Sequence, residues 1–264
     1  MRVRTRGTLS AALGCMLLLG AAGCGDDDDN DDGGLNPPAT EGLPSHDQLV
    51  QALEAARATP NGGFNLEMWA TVVDRSGIVV AVAFTGAQEG DQWPGSRVIS
   101  AQKANTANAF SLPSLALSTA NLFTATQPGG SLFGLQESNP VNPDVAYGGN
   151  VADYGTTRDF MVGKRIGGIN VFGGGLPLYT ADGTLVGAVG VSGDSSCADH
   201  NIAWKVRDGL ALDNIPGGVS STADDNIVYD ISGGTSASGW GHPECSAEAT
   251  AIGNGLPTTN PVGP

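Results

Sequence analysis

Two short motifs in the second half of the chain place a cysteine and a histidine at the same spacing. Cys197-Ala-Asp-His200 and His242-Pro-Glu-Cys245 mirror each other as Cys-x-x-His and His-x-x-Cys. In an oxidising compartment such a pair first indicates a disulfide between Cys197 and Cys245. Two thiolates and two imidazoles are also a donor set for tetrahedral zinc, so a zinc site made of all four residues is the alternative. The disulfide would bring His200 and His242 close together, which makes both candidate metal ligands.

Other patterns that resemble catalytic motifs lack the residues that the chemistry needs. Gly193-Asp194-Ser195 resembles the nucleophile of a serine protease, but Ser196 and Cys197 follow where two glycines are required. The run at 190–194 lacks the last glycine of an esterase nucleophile elbow. The glycines at 173–175 have neither the context of a dinucleotide site nor the lysine of a P-loop. We therefore predict no catalytic residue.

The oxidising compartment is itself predicted from residues 1–23, which have the features of a lipoprotein signal peptide. Three arginines lie among the first six residues, an apolar stretch covers 9–19, and Ala21-Ala22-Gly23 precedes Cys24. We expect Cys24 to be lipidated, and an ordinary secretory signal cut nearby is the alternative. The apolar stretch is too short for a stable membrane span. We expect an exported protein that is lipid-anchored to the cell envelope, and Gly25 after Cys24 favours the outer membrane.

Residues 24–44 form an acidic segment that we expect to be a disordered tether. Six of the seven positions 26–32 are aspartate, and such like charges repel one another and stay solvated. Without the signal peptide the chain has 9 basic and 27 acidic residues. This excess of negative charge argues against nucleic acid and against anionic membrane surfaces as partners. The lipid is therefore the only membrane contact that we expect.

The elements that must position the candidate residues are helices and two β-hairpins. Ser45 and Gln48 form a capping-box pattern that opens a helix, and Ser196 with Asp199 opens the last helix in the same way. Runs rich in valine and isoleucine flank short turns, which is typical of hairpins. The predicted strands are 68–73, 78–84, 176–180, 184–191 and 226–231, and the other predicted helices are 96–110 and 114–123.

The chain after the tether is of a length that suits one domain, at residues 45–215. A polar segment rich in glycine and asparagine forms an insertion at 127–172, and 216–264 is expected to be an irregular C-terminal extension. Hairpins mixed with helices indicate an α+β domain in which helices cover an antiparallel sheet of about five strands.

Several of these segments resemble the GlcG/HbpS-like haem-binding family. The resemblance rests on Gly174-Gly175-Leu176-Pro177, on Gly190-Val191-Ser192-Gly193, on the following helix with Asp199, and on Ala101-Gln102-Lys103-Ala104. It covers about 49–211, so the insertion and the extension exceed the family pattern. It implies a sheet with profilin/PAS-like layering, haem or a related tetrapyrrole as the bound group, and a homo-oligomer.

The resemblance also gives the candidate residues a possible ligand. A haem-binding role implies that His200 or His242 ligates iron, and Lys103 and Tyr147 are further candidate ligands. Arg165 is a candidate partner for a haem propionate. We therefore expect an envelope-anchored protein that binds, sequesters or senses haem. A small-molecule enzyme on the same fold, degrading haem or converting a metabolite, and a non-catalytic surface or assembly module are the alternatives.

Overall fold

The computed structural model describes residues 40–263. The predicted signal peptide, Cys24 and most of the predicted tether lie outside these residues. Within the described part of the chain, no helix has both the length and the apolar character needed to cross a membrane.

The described chain is an α+β protein, as predicted. The helices are α1 (His46–Arg57), α2 (Ser96–Phe110), α3 (Phe123–Thr126), α4 (Pro143–Ala146), α5 (Ser196–Gly209) and α6 (Ala247–Thr259). Three short 3-10 helices lie at Glu89–Asp91, Thr119–Leu122 and Val151–Asp153. The strands are β1 (Trp69–Asp74), β2 (Val79–Phe84), β3 (Gly175–Tyr179), β4 (Leu185–Ser192), β5 (Ile231–Ser232) and β6 (Thr235–Ser236).

The main sheet is antiparallel, with the strand order β2-β1-β4-β3. The two predicted hairpins therefore meet where β1 pairs with β4, and Val72 lies opposite Val189. This sheet has four strands, not about five, because the segment predicted as a strand at 226–231 does not join it. Only Ile231 of that segment is in a strand, and it pairs with Ser236 in a separate two-stranded sheet.

The main sheet is a middle layer that is buried on both faces. Alternate residues of β1 point in opposite directions. Ala70 and Val72 pack in one apolar cluster with residues of α1 and α5, whereas Trp69 and Val73 pack in another with α2 and the insertion. Residues of β1 thus contribute to apolar clusters on both faces of the sheet.

Glycine on β4 allows α2 to lie directly against the sheet. A Cβ atom at Gly190 would overlap the carbonyl oxygen of Ser100, and it would also lie against the backbone of Ala104. Gly175 on β3 is similarly tight against the backbone of Lys103. The glycine motifs that carry the family resemblance are therefore explained by the packing of the fold.

The helix predictions are largely confirmed, with shifts at particular ends. The capping box of Ser45 and Gln48 is present, and α2 has the predicted bounds. The helix predicted at 114–123 begins later, as the 3-10 helix Thr119–Leu122 followed by α3. The N-cap of α5 is Ser195, whose hydroxyl accepts from the amide of Ala198, and Asp199 has a different role.

The extension contains a helix where the sequence predicted irregular structure. Helix α6 begins after Ser246, whose hydroxyl accepts a hydrogen bond from the amide of Ala249. Two glycines and Pro257 weaken the helical pattern in this segment, but Leu256 is fully buried in the same apolar core as α1 and α5. Tertiary packing therefore outweighs the weak local preference.

Candidate functional site

Lys103 and Asp199 form a buried ion pair between α2 and α5. The Lys103 ammonium lies 2.7 Å from Asp199 Oδ2 and donates to the carbonyl of Val191 at 3.0 Å. Asp199 Oδ1 accepts from the amide of Asp194 at 2.8 Å. Burial lowers the pKa of Lys103 and raises the pKa of Asp199 to about 6, although the attraction within the pair opposes both shifts. Lys103 is 1% exposed, so it holds the fold together and is not placed as an iron ligand.

The predicted disulfide between Cys197 and Cys245 is confirmed, with Cα atoms 5.9 Å apart. It joins the start of α5 to the extension. The zinc alternative is not supported, because the two sulfur atoms are bonded to each other and His200 is not part of the group. Within the described part of the chain, His242 is the histidine with a ring nitrogen close to both sulfur atoms, and these ligand atoms lie within 4.8 Å of one another.

His242 is buried, and both of its ring nitrogens are engaged. Nδ1 donates to the carbonyl of Pro243 at 2.7 Å, which leaves Nε2 to accept from the hydroxyl of Ser196 at 2.8 Å. The Ser196 hydroxyl in turn accepts from the amide of Gly173 at 2.7 Å. Burial lowers the pKa of His242 to about 4, so the ring is neutral at pH 7. His242 therefore joins the extension to the first residue of α5 in this structure.

His200 on α5 is completely buried. Its Nε2 atom lies 3.2 Å from Asn226 Oδ1 and 3.2 Å from the backbone nitrogen of Ile227. Burial lowers the pKa of His200 to about 3. Among the described residues, His200 is not part of the cluster of Cys197, His242 and Cys245 ligand atoms, and the two rings are bonded to different partners.

A second buried ion pair, which was not predicted from the sequence, joins Arg207 of α5 to Asp225 of the extension. Two parallel hydrogen bonds of 2.7 Å and 2.8 Å join the guanidinium to the carboxylate, and both side chains are fully buried. The Arg207 guanidinium lies 4.8 Å from the centre of the Trp204 ring. A signal was present in the sequence, since residues 200, 204 and 207 have the spacing of one helix face.

Tyr147 and Arg165 lie at the surface of the insertion. Tyr147 is 67% exposed. Beside it, the ring of Phe160 packs against the backbone of Gly148, and the ammonium of Lys164 lies 3.6 Å from the centre of that ring. We call Tyr147, Phe160 and Lys164 the insertion platform. Arg165 is exposed but donates from Nε to the carbonyl of Ser76 at 2.7 Å, so part of its guanidinium is already used.

A buried arginine holds the insertion platform on the sheet. Arg97 of α2 forms a buried ion pair with Asp159 and donates to the carbonyl of Ala146 at 2.8 Å. Asp159 also accepts from the amide of Met161 at 2.9 Å. The residues next to Tyr147 and Phe160 are therefore fixed by interior contacts, even though the platform itself is exposed.

The antiparallel sheet is covered on both faces, α2 packs on its glycines, and a lysine–aspartate pair joins α2 to α5. This is the α+β domain, with helices covering an antiparallel sheet, that the sequence predicts. A family model described as "Haem degrading protein HbpS-like" matches residues 45–208. The chain belongs to this HbpS-like family. Membership supports a haem-binding or related role, and the matched residues end before the extension begins.

Solved structures of similar fold were also found. A Klebsiella pneumoniae protein named ORFY is 25% identical, with 62% of this chain and 86% of that one covered and a TM-score of 0.42. A complex of PduOC with heme is 24% identical, with coverage of 63% and 94% and a TM-score of 0.43. A structure of HbpS is 19% identical, with coverage of 64% and 87% and a TM-score of 0.38. No curated protein matches the chain.

Proposed function

We propose that this protein binds haem or a related tetrapyrrole on the insertion platform. One observation carries the assignment of the site. Of the four candidate iron ligands, Lys103, His200 and His242 are buried and engaged, whereas the Tyr147 phenol is at the surface. Membership of the HbpS-like family supplies the class of ligand.

The residues of the insertion platform suit the different parts of such a ligand. When bound, haem would supply an iron with a free coordination position and two carboxylates. A tyrosine oxygen is a known ligand of haem iron, and Tyr147 is the residue that offers it here. The ring of Phe160 offers a flat apolar contact, and Lys164, whose ammonium also donates to the carbonyl of Phe160 at 2.7 Å, offers a cation beside that ring for a carboxylate. Arg165 is a second cation of the insertion, and its Nε donates to the carbonyl of Ser76.

The proposal includes an exported protein that is lipid-anchored through Cys24 and that sequesters or senses the tetrapyrrole. The support is the sequence of residues 1–24 together with the disulfide, because disulfides persist in oxidising compartments. A homo-oligomer belongs to the same proposal. An exposed aromatic platform is a surface that a second copy could cover, and covering it would shield the tetrapyrrole from water.

A hemin titration tests the site. The protein would begin at residue 24, with Cys24→Ser to keep it free of lipid, and absorbance at the Soret band would be followed. We expect saturable binding that Tyr147→Phe strongly weakens. Phe133→Leu is the matched control, because Phe133 is an exposed aromatic residue of the same insertion that lies outside the platform as defined. Equal binding by the Tyr147→Phe variant and the control would contradict the assignment of the site.

A further inference from the structure

The extension forms a cavity of about 500 Å³ that is separate from the sites described above. This volume lies in the range of small-molecule binding sites. Every residue that lines the cavity follows residue 208, where the match to the HbpS-like family ends. The lining comes from the loop 219–222, the segment 226–230, helix α6 and the single residues Ser238 and Glu244. The cavity is therefore a feature that this chain adds to the family module.

Helix α6 forms a polar wall of this cavity. Its buried residues pack against the rest of the fold, whereas Thr250 and Asn254 line the cavity. Residues four apart lie one above the other on a helix, so these two side chains form a polar strip along the wall. The segment 226–230 forms another wall, and its Tyr229 also packs in an apolar cluster with Ala249 of α6.

Two hydroxyl groups of this lining lack a partner. Among the residues that the structure describes, the hydroxyl oxygens of Tyr229 and Thr250 are buried without a hydrogen bond of proper geometry. Burial raises the pKa of Tyr229, the Thr250 hydroxyl opposes this shift and the charge of Glu244 adds to it. The three groups therefore lie close together. Buried polar atoms in folded proteins nearly always have a partner, so these hydroxyls require a group that both donates and accepts.

The two hydroxyls can turn toward the cavity without movement of the backbone. Tyr229 and Thr250 are both partly exposed residues of its lining. A threonine hydroxyl has two accessible rotamers in a helix, and the hydrogen atom of a hydroxyl group rotates to suit its partner. Glu244 and Asn254 are exposed residues of the same lining. A ligand therefore meets a carboxylate and an amide at the rim and the two hydroxyls deeper in the cavity.

The chemistry of the lining selects a neutral ligand that is rich in hydroxyl groups. Six of the fourteen lining residues carry a hydroxyl, none of the fourteen is a lysine, arginine or histidine, and Asp230 and Glu244 are acidic. This charge opposes anions, including the carboxylates of a tetrapyrrole. An ammonium group donates hydrogen bonds but does not accept them, so it leaves the N–H groups of the Asn254 amide unmet. Sugar hydroxyls both donate and accept, so they match the whole set.

We propose that this cavity binds a pyranose sugar. The Glu244 carboxylate and the Asn254 amide bind sugar hydroxyls at the rim, and one further hydroxyl of the sugar meets Tyr229 and Thr250 beneath them. The inference does not depend on tetrapyrrole binding, because the insertion platform shares no residue with this cavity. The extension thus has a binding function in addition to the disulfide and the ion pair that hold it on α5.

Saturation-transfer NMR and calorimetric titration test the site on the oxidised chain from residue 24 with Cys24→Ser. The probes are glucose, galactose, mannose and N-acetylglucosamine, with spermidine as a cationic comparator. We expect saturable binding of at least one of the four sugars and no binding of spermidine. Thr250→Val keeps the shape of the side chain and should weaken sugar binding about fivefold through loss of one hydrogen bond. Thr258→Val is the matched control on the same helix and should leave binding unchanged, because Thr258 lies outside the lining.

Three results would overturn the inference: no saturable binding of any of the four sugars, binding of spermidine in their place, or equal sugar affinities of the Thr250→Val and Thr258→Val variants. Circular dichroism verifies the folding of each variant. If Thr250→Val does not fold, Tyr229→Phe gives the same comparison, because it removes the other hydroxyl and keeps the ring. Tyr147→Phe should leave sugar binding unchanged, so failure of the tetrapyrrole proposal is distinguishable from failure of this one.

Discussion

Arg207 and Asp225 form a bidentate ion pair in which neither side chain has any exposed surface. Arg207 lies on the last turn of α5, inside the HbpS-like match, and Asp225 lies in the extension beyond it. A buried ion pair therefore links the extension to the interior of the module, in addition to the disulfide at Cys197. Truncation before residue 225 would leave a buried guanidinium without its counterion.

Breaking this pair from one side should be costly. We expect Asp225→Ala to lower the free energy of unfolding by about 3–5 kcal/mol, because it leaves the charge of Arg207 buried and unpaired. Urea denaturation measures the change. Arg158→Ala is the control, since it removes an ion pair with Asp153 in which Arg158 is 77% exposed, and such surface pairs contribute about 0–1 kcal/mol. Equal losses in the two variants would contradict the account of the interior pair.

Stability should fall as the solution is acidified from pH 6.5 to pH 4. Burial lowers the pKa of His200 to about 3 and that of His242 to about 4. In this window the unfolded chain takes up protons on both histidines, whereas the folded protein takes up almost none on His200 and takes one up on His242 only near pH 4, so these two groups make acid favour unfolding. Asp199, whose pKa burial raises to about 6, takes up its proton earlier in the folded protein and offsets part of this loss. Each such group steepens the slope by up to about 1.4 kcal/mol per pH unit. The unfolding free energy, measured by denaturation at each pH, should depend less steeply on pH in His200→Gln. An unchanged slope would contradict the burial of His200 as a neutral ring.

Removal of the disulfide should loosen the extension without unfolding the module. We expect Cys197→Ser with Cys245→Ser to lose about 2–4 kcal/mol of unfolding free energy. The chain from residue 24 with Cys24→Ser should show no free thiol before reduction and two afterwards. Two free thiols in the protein as isolated from an oxidising compartment would show that the bond is not formed.

The cation of the insertion platform should affect tetrapyrrole affinity. Lys164 lies over the ring of Phe160, so Lys164→Gln should weaken hemin binding by about fivefold, corresponding to roughly 1 kcal/mol. Arg165→Gln is the neighbouring control and should change affinity less, because Arg165 is held at Ser76 and lies outside the platform as defined. A larger effect of the Arg165 variant in the same titration would move the carboxylate contact to Arg165.

The glycine at position 190 should be required for folding of the module. Gly190→Ala would place a Cβ atom against the carbonyl of Ser100, a backbone group that cannot move aside without shifting α2. We expect a loss of several kcal/mol, of the order of other overpacking substitutions at about 1–3 kcal/mol or more. Gly95→Ala is the control, because its Cβ would meet nothing within 4 Å. Similar melting temperatures for the two variants would contradict the close packing of α2.

The fold was predictable where local signals and burial agree. The capping box at Ser45, the bounds of α2 and both hairpins of the main sheet follow directly from sequence patterns. Helix α6 was not predicted, since its glycines and Pro257 oppose a helix, and the burial of Ala249, Gly253 and Leu256 against the rest of the fold compensates.

The candidate site was predictable only in part, because residue types do not show which partners they meet. The pairing of Cys197 with Cys245 follows from their number and spacing. The engagement of Lys103 by Asp199 does not, because 96 residues separate them in the chain. The exposure of Tyr147 likewise depends on how the insertion folds back on Arg97, and no local pattern encodes that contact.

The electron paramagnetic resonance spectrum of the ferric haem complex tests the central claim most directly. It would be recorded on the oxidised protein from residue 24, with and without Tyr147→Phe. The account predicts a stoichiometric high-spin ferric signal, as an oxygen ligand from tyrosine gives, that is lost in the variant. A complex whose signal is unchanged by Tyr147→Phe, or the absence of any stoichiometric complex, would contradict tetrapyrrole binding on the insertion platform.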